Sequence, residues 1–268
     1  MLSLTEGQER RYARHLILKE VGLSGQTKLL TAKVLIIGAG GLGSPAALYL
    51  AAAGVGTIGL VDPDVVELSD LQRQILYSTP DLGQAKVLAG AAALQRLNQD
   101  TQVVTYQEAV TPDNIEDIIR DYDFVIDGTD NLAAKFLVND ACIKLGVPYS
   151  HAGIVGLEGQ LMTVIPGAGA CYRCVFEAPP PPDAIPSCSQ AGVLGVIAGV
   201  IGTLQATEAL KYLLGIGELL TGSLLIYDAR TAAFRRVSFR PRAACPACGS
   251  GEPKKLGADY RPPVCGGT

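Results

Sequence analysis

Three glycines, two basic residues and two acids form the first chemical unit of this sequence. Gly38, Gly40 and Gly43 make a G-x-G-x-x-G turn in "VLIIGAGGLGS", straight after an apolar run and opening an alanine-rich one. Such glycines permit a tight turn and close approach of backbone to phosphate, and the following helix start supplies unpaired amides. Asp62 closes the next apolar run, near the spacing expected of an acid that holds ribose hydroxyls. The turn alone favours a nicotinamide cofactor and leaves ATP open. Arg73 in "LSDLQRQ" and Lys86 in "DLGQAK" tip the balance toward a triphosphate. Charge builds on the α-phosphate and on departing pyrophosphate in adenylyl transfer, and arginine and lysine stabilise it. In "DGTDN" (Asp127–Asn131), Asp130 is the candidate magnesium ligand, because that hard cation takes carboxylate and phosphate oxygens. The bland alternative for Asp130 is a cap on the helix starting at Asn131.

The cysteines form the second unit. "CYRC" (Cys171, Cys174) and "CPAC" (Cys245, Cys248) are two C-x-x-C pairs. Four thiolates make a closed, structural zinc site, here stapling distant segments together. Redox pairs are the alternative, but those sit at helix starts, and both pairs are expected in loops. Cys188 stands alone in the proline-rich "EAPPPPDAIPSCSQAG", a mobile crossover loop in which a thiol before a helix start can be nucleophilic. An accessible cysteine without a catalytic role fits Cys188 nearly as well. Cys142 reads as core packing, and Cys265 has no assigned role. The two histidines, His15 and His151, have no nucleophile beside them.

Alternating strands and helices must position these residues. Thr5 to Leu30 reads as helical, broken at Gly22 and Gly25. Strands are expected at Lys33–Ile37, Thr57–Val61, Gln102–Gln107 and within "DFVIDGTDN". Helices are expected at Leu42–Ala53, closed by Gly54, and at Gln84–Leu97, Ile115–Arg120 and Asn131–Leu145. The short, wholly apolar strands suit a mostly parallel sheet covered on both faces. After Tyr149, "YSHAGIVGLEGQLMTVIP" reads as paired strands joined at Gly156–Gly159. Ala191–Leu214 reads as a buried helix, its apolar run shorter than the ~20 residues a membrane span needs. Ser223–Tyr227 and Ala233–Phe239 are late strands. The glycine- and proline-rich stretch after Gly249 reads as a frayed tail. The 268 residues carry a net charge of −4 without a basic stripe, so nucleic acid is not an expected partner. No targeting or membrane-spanning segment is apparent, and a cytoplasmic protein is expected.

Taken together, G-A-G-G-L-G-S, Asp62, S-D-L-Q-R-Q, G-Q-A-K, D-G-T-D-N and C-S-Q-A-G-V-L-G resemble the ThiF/MoeB/HesA family, bacterial relatives of ubiquitin-activating enzymes. The resemblance runs from about Tyr12 to Cys248. It implies a Rossmann-like, mostly parallel α/β sheet with helices on both faces, extended by antiparallel strands and a structural zinc site. It implies one adenylating domain over residues 1–250: a helical arm (1–30), a nucleotide-binding part (31–150) and a carrier-binding and zinc part (151–250), followed by a flexible tail (251–268).

The implied activity is adenylation, with ATP and magnesium, of the C-terminal glycine carboxylate of a small ubiquitin-like sulfur carrier ending in Gly-Gly. Pyrophosphate is released, as a step toward thiamin or molybdopterin. Gly38, Gly40, Gly41 and Gly43 would cradle the nucleotide and Asp62 the ribose. Ser69, Asp70, Gln72 and Asn131 complete the implied nucleotide set. Arg73 and Lys86 would contact phosphates, and Asp130 magnesium. In the implied homodimer, Arg14 of the R-Y-x-R segment would reach into the other subunit's site. Cys188 matches a cysteine that forms an acyl-disulfide in some members and is dispensable in others. The sulfur donor, a cysteine desulfurase or rhodanese, is expected to be a separate protein. Two departures stand out: Asp70 where the family usually has asparagine, and Lys135 where arginine is common. Asparagine can donate a hydrogen bond, whereas ionised aspartate only accepts. The competing readings are a nicotinamide-dependent oxidoreductase, which leaves Arg73, Lys86, Asp130 and the cysteine pairs unexplained, and a non-catalytic carrier-binding module, supported only by Asp70.

Overall fold

A computed structural model describes residues 3–178 and 192–249, together with Leu256 and Tyr260. Three helices open the chain: α1 (Glu6–Arg11), α2 (Ala13–Leu16) and α3 (Gly22–Thr31). The break falls at 17–21. Gly22 begins α3, whereas Gly25 lies buried inside it, so Gly25 is not a breaker. A Cβ there would lie 2.9 Å from Leu214, which makes close packing the reason for that glycine.

The chain then alternates through β1 (Lys33–Ile37), α4 (Gly43–Ala53), β2 (Thr57–Val61), α5 (Lys86–Leu97), β3 (Gln102–Tyr106), α6 (Ile115–Ile119), β4 (Phe124–Asp127), α7 (Leu132–Leu145) and β5 (Tyr149–Val155). These five strands are parallel, in the order β3-β2-β1-β4-β5. Strand order reverses between β1 and β4, and open α/β sheets bind ligands at the carboxyl edge of such a reversal. Antiparallel strands extend the sheet: β6 (Glu158–Val164), β7 (Ser223–Asp228) and β8 (Ala233–Ser238). The β5–β6 turn is tighter than expected, because Val155 already pairs with Glu158.

Alternation of side chains through the strands feeds two apolar layers. Val34, Ile36, Ile58, Leu60, Phe124 and Ile126 pack with α4, α5 and the long α9 (Gly195–Leu214). Leu35, Ile37 and Val125 pack with α6 and α7 on the other face. Burial on both faces explains why the strands read as continuous apolar runs. Helix α9 also buries Gln205 and Glu208. Gln205 donates to the carbonyls of Asp127 (2.9 Å) and Ser150 (3.0 Å), tying α9 to the carboxyl end of β4. Among the described residues, no helix is long and apolar enough to cross a membrane.

A short helix α8 (Tyr172–Val175) precedes α9. Cys171 is its N-cap and Cys174 lies within it, so the first cysteine pair is not in a loop as expected. The expected crossover loop with Cys188 lies almost wholly outside the described residues, as does most of the tail. Tyr260 departs from the frayed reading. Its ring is buried, and its hydroxyl donates to Asp140 (2.5 Å) while accepting from Arg173 (3.3 Å).

Candidate functional site

The glycine turn sits at the strand-order reversal. Gly38 follows β1 with φ of +90°, a conformation that disfavours any side chain. A Cβ on Gly43 would lie 2.0 Å from the Gly38 carbonyl oxygen, so the turn closes only without one. Helix α4 begins with no side-chain cap, but Ser44 N–H donates to the Gly40 carbonyl (2.8 Å) and Pro45 has no N–H, so the amides open to an anion among the described residues are those of the turn itself, Gly40 to Gly43. Asp62 closes the turn from β2: its Oδ2 accepts from Ala39 N–H (2.8 Å) and its Oδ1 from Asp64 N–H (3.0 Å). Burial raises its carboxyl despite those amides and nearby Lys86. The Tyr77 hydroxyl donates to the Ala39 carbonyl (2.8 Å) from below.

Arg73 and Lys86 meet beside this turn, on either side of Asp70. Arg73 leans on Gly41, where a Cβ would lie 3.5 Å from its Cγ. Its guanidinium is 3.4 Å from Asp70 Oδ1, and the Lys86 ammonium is 3.6 Å from Asp70 Oδ2. Lys86, the first residue of α5, also pairs with the exposed Asp64 at 3.2 Å. Burial disfavours its charge, but Asp62, Asp64 and Asp70 outweigh that and raise its pKa. Asp70 is buried and further accepts from Gln74 (2.7 Å) and Glu67 N–H (3.1 Å). An ionised aspartate is therefore well satisfied here. Gln74 leaves its Oε1 buried without a partner beside Gly40, as expected where a ligand donor would reach in. Ser69 and Gln72 are exposed on the same segment, and the Ser69 carbonyl accepts from Arg73 (2.9 Å).

Opposite, the loop after β4 carries Asp130 and lies against Gly38, where a Cβ would meet the Gly128 carbonyl at 2.7 Å. The helix-cap alternative for Asp130 does not hold. Asn131 is the cap of α7, its Oδ1 accepting from Ala134 N–H at 2.8 Å. Asp130 is exposed and has no hydrogen bond or ion pair among the described residues, which leaves both its oxygens open to a cation. Asn131, read as a nucleotide contact, has its side-chain oxygen engaged in the cap.

Beneath that loop lies a network that the sequence reading missed. Asp127 is fully buried. Its Oδ1 accepts from the Thr129 hydroxyl (2.6 Å) and N–H (3.1 Å). Its Oδ2 lies 2.9 Å from His151 Nδ1 and 3.4 Å from Lys135 Nζ. Burial opposes its ionisation, yet Lys135 and His151 hold it down at about 2. Lys135 also donates to the Ala152 carbonyl (2.7 Å). Burial lowers His151, with Lys135 adding to the effect. The available signal was the first aspartate of D-G-T-D-N at a strand end, with a lysine eight residues on.

On the helical arm, Tyr12 is buried against the body. Its hydroxyl accepts from Asn98 (2.8 Å) and donates to Asp100 (3.1 Å). His15 Nδ1 meets Gln26 Oε1 at 2.8 Å. Arg14, between these anchors, is exposed and has no salt bridge among the described residues. The sulfur atoms of Cys171, Cys174, Cys245 and Cys248 lie within 4.8 Å of one another. Two of the separations are 3.6 Å (Cys171–Cys245) and 3.4 Å (Cys174–Cys248). A tetrahedral ion with bonds of about 2.3 Å sets sulfurs about 3.8 Å apart, so the four can hold one metal ion. Cys188, the candidate reactive thiol, lies outside the described residues.

Comparison with known proteins agrees with this geometry. The model of the ThiF family matches residues 12–247. The sulfur carrier protein adenylyltransferase of Thermus thermophilus is 46% identical over 261 residues, 96% of each chain. The adenylyltransferase and sulfurtransferase MOCS3 of Sus scrofa is 50% identical over 248 residues, 92% of this chain and 54% of that one. The chain thus spans about half the length of that second relative. A crystal structure of E. coli MccB with MccA-N7isoASN superposes with a TM-score of 0.80 at 22% identity, covering 91% of this chain and 76% of that one, a likeness of fold. With the glycine turn, the cation pair and three of the four clustered cysteines inside the matched region, the chain belongs to the ThiF family.

Proposed function

We propose that the protein is an adenylyltransferase that activates the C-terminal glycine carboxylate of a small ubiquitin-like sulfur carrier at the expense of ATP. The observation that carries this reading is the pairing of Arg73 and Lys86 beside the glycine turn with a free Asp130 opposite. It sits in a chain 46% identical, end to end, to an enzyme named for that activity. The amides of the Gly38–Gly43 turn hold phosphates, Asp62 holds the ribose, and Ser69, Asp70 and Gln72 line the same segment. The carrier carboxylate attacks the α-phosphorus, forming a new P–O bond. The bond to the β-phosphate's bridging oxygen breaks, and pyrophosphate leaves. Arg73 and Lys86 balance the charge that gathers on the oxygens as this happens. Magnesium, held through Asp130, neutralises phosphate charge when bound. The carboxylate is ionised at neutral pH, so positioning and charge stabilisation supply the catalysis.

Four further features belong to this reading. The chain acts as one adenylating unit from its helical arm to the cysteine cluster. Zinc fills that cluster as a structural ion. Two copies assemble, and Arg14 serves the site of the other copy. The adenylate is a substrate for sulfur transfer from a separate donor in the cytoplasm, with Cys188 the thiol to examine.

ATP–pyrophosphate exchange with purified protein, magnesium and Gly-Gly-ended carriers tests the main claim. Exchange dependent on one carrier is expected; ATP binding without exchange for any carrier would instead support the binding module. Elemental analysis should find one zinc per chain in reduced protein. Mixing inactive Arg14→Ala and Lys86→Met subunits should restore exchange if Arg14 acts across the dimer.

A further inference from the structure

Arg73 and Lys86 do not stand free for phosphate. Both are paired to one buried carboxylate, Asp70, at 3.4 and 3.6 Å. Lys86 also faces Asp64 at 3.2 Å and Asp62 at the glycine turn. Two cations therefore stand against three carboxylates, and Asp130 adds a fourth acid across the turn. Such a pocket has no surplus positive charge to offer a bare triphosphate.

We propose that Asp70 is an internal counter-ion that makes this pocket accept nucleotide only as its divalent-metal complex, while positioning Arg73 and Lys86. The inference rests on the nucleotide reading above and deepens it. Asp70 lies where solvent screens it weakly, and Gln74 and Glu67 N–H hold it in place. An asparagine there keeps the shape and an acceptor for Gln74 but removes one negative charge beside the phosphates. The metal ion then brings the positive charge that the aspartate cancels. Asp64 contributes less, because its side chain is 65% exposed and screened by water.

The test is equilibrium titration of the full chain with ATP, once with magnesium chloride and once in buffer freed of divalent cations beforehand, without a chelator that would strip the cysteine cluster. Wild-type protein should bind metal-free ATP at least about 30-fold more weakly than magnesium–ATP. Asp70→Asn should narrow that ratio by at least about fivefold, chiefly by strengthening metal-free binding. Asp64→Asn should narrow it by less than about twofold. If both affinities change together in Asp70→Asn and the ratio stays fixed, the aspartate only positions its neighbours and the inference is overturned. Equal wild-type binding of both nucleotide forms would overturn it as well. Thermal unfolding checks each variant. If the asparagine protein does not fold, Asp70→Ser removes the same charge and carries the same expectation. Wild-type protein that binds neither form would sink the nucleotide reading itself, and this inference with it.

Discussion

Two aspartates at the carboxyl edge of the same sheet hold lysines in different ways. Asp127 is fully buried, and its carboxylate is filled by Thr129, Lys135 and His151. Asp70 is nearly as buried, but its partner Arg73 is partly exposed and leans on Gly41 of the glycine turn, with Lys86 on the other side of the carboxylate. In the first network the cation has nowhere else to go, so the group is a fastening. It joins β4 and β5 to α7 and shapes the loop that presents Asp130. In the second, under the proposed nucleotide reading, phosphate would compete for the cations and the pairs would act as a reserve. Burial alone does not separate structural charges from functional ones; the separation lies in whether a partner can be exchanged.

The largest effect is expected from breaking the fastening. Asp127→Ala leaves Lys135 buried without its carboxylate and should lower stability by about 3–5 kcal/mol in denaturant unfolding. A loss under 1 kcal/mol would show that the network does not fasten the sheet edge. Arg73→Ala should leave folding nearly intact and slow pyrophosphate exchange by about 10²–10³-fold, comparable to removing one transition-state donor. Equal damage to stability and exchange there would erase the distinction between the two networks.

Acid sharpens the same contrast. Asp127 sits at about 2 in the folded chain, below the ~3.9 of an unfolded aspartate. Its stabilisation is fully present above that unfolded value and is lost as pH falls from about 4 toward 2. His151 is lowered in the folded chain, against an unfolded value of ~6.5. Stability should therefore begin to fall below about pH 6.5, as the unfolded chain takes up that proton first. His151→Gln should flatten the earlier part of the decline, measured as thermal midpoint against pH.

Smaller effects mark the periphery. Tyr260→Phe deletes a hydroxyl shared by Asp140 and Arg173, but those two remain paired at 2.8 Å. A cost of about 1–2 kcal/mol is expected in denaturant unfolding. Arg230→Ala removes exposed pairs to Glu158 and Asp228 and should change stability by less than about 1 kcal/mol.

Much of this was legible in the residues. The strand bounds Lys33–Ile37 and Thr57–Val61 coincide with the structure, because a parallel strand covered on both faces is apolar throughout and ends abruptly at its turn. The glycine turn was legible because only glycine fits where Gly38 and Gly43 touch. The cysteine set was legible because two pairs of thiols at that spacing suit one tetrahedral ion, and the fold brings all four together. Other features were not legible, because their partners are distant in the chain. Lys135 read as a minor departure and His151 as idle until both met Asp127. Asp130 reads as a possible cap for a helix starting at Asn131, whereas the folded backbone makes Asn131 itself the cap. Tyr260, in a stretch with the composition of a frayed tail, is buried where its hydroxyl donates to Asp140 and accepts from Arg173.

The α/β alternation, the glycine turn, the paired thiols and the family are written in local spacing and residue type, and so are readable in the chain alone. How the charges are shared is set by the folded chain. An ion pair depends on distances of a few ångströms between residues far apart in the chain, and Asp70, Arg73 and Lys86 acquire their joint role only when α5 starts beside the glycine turn.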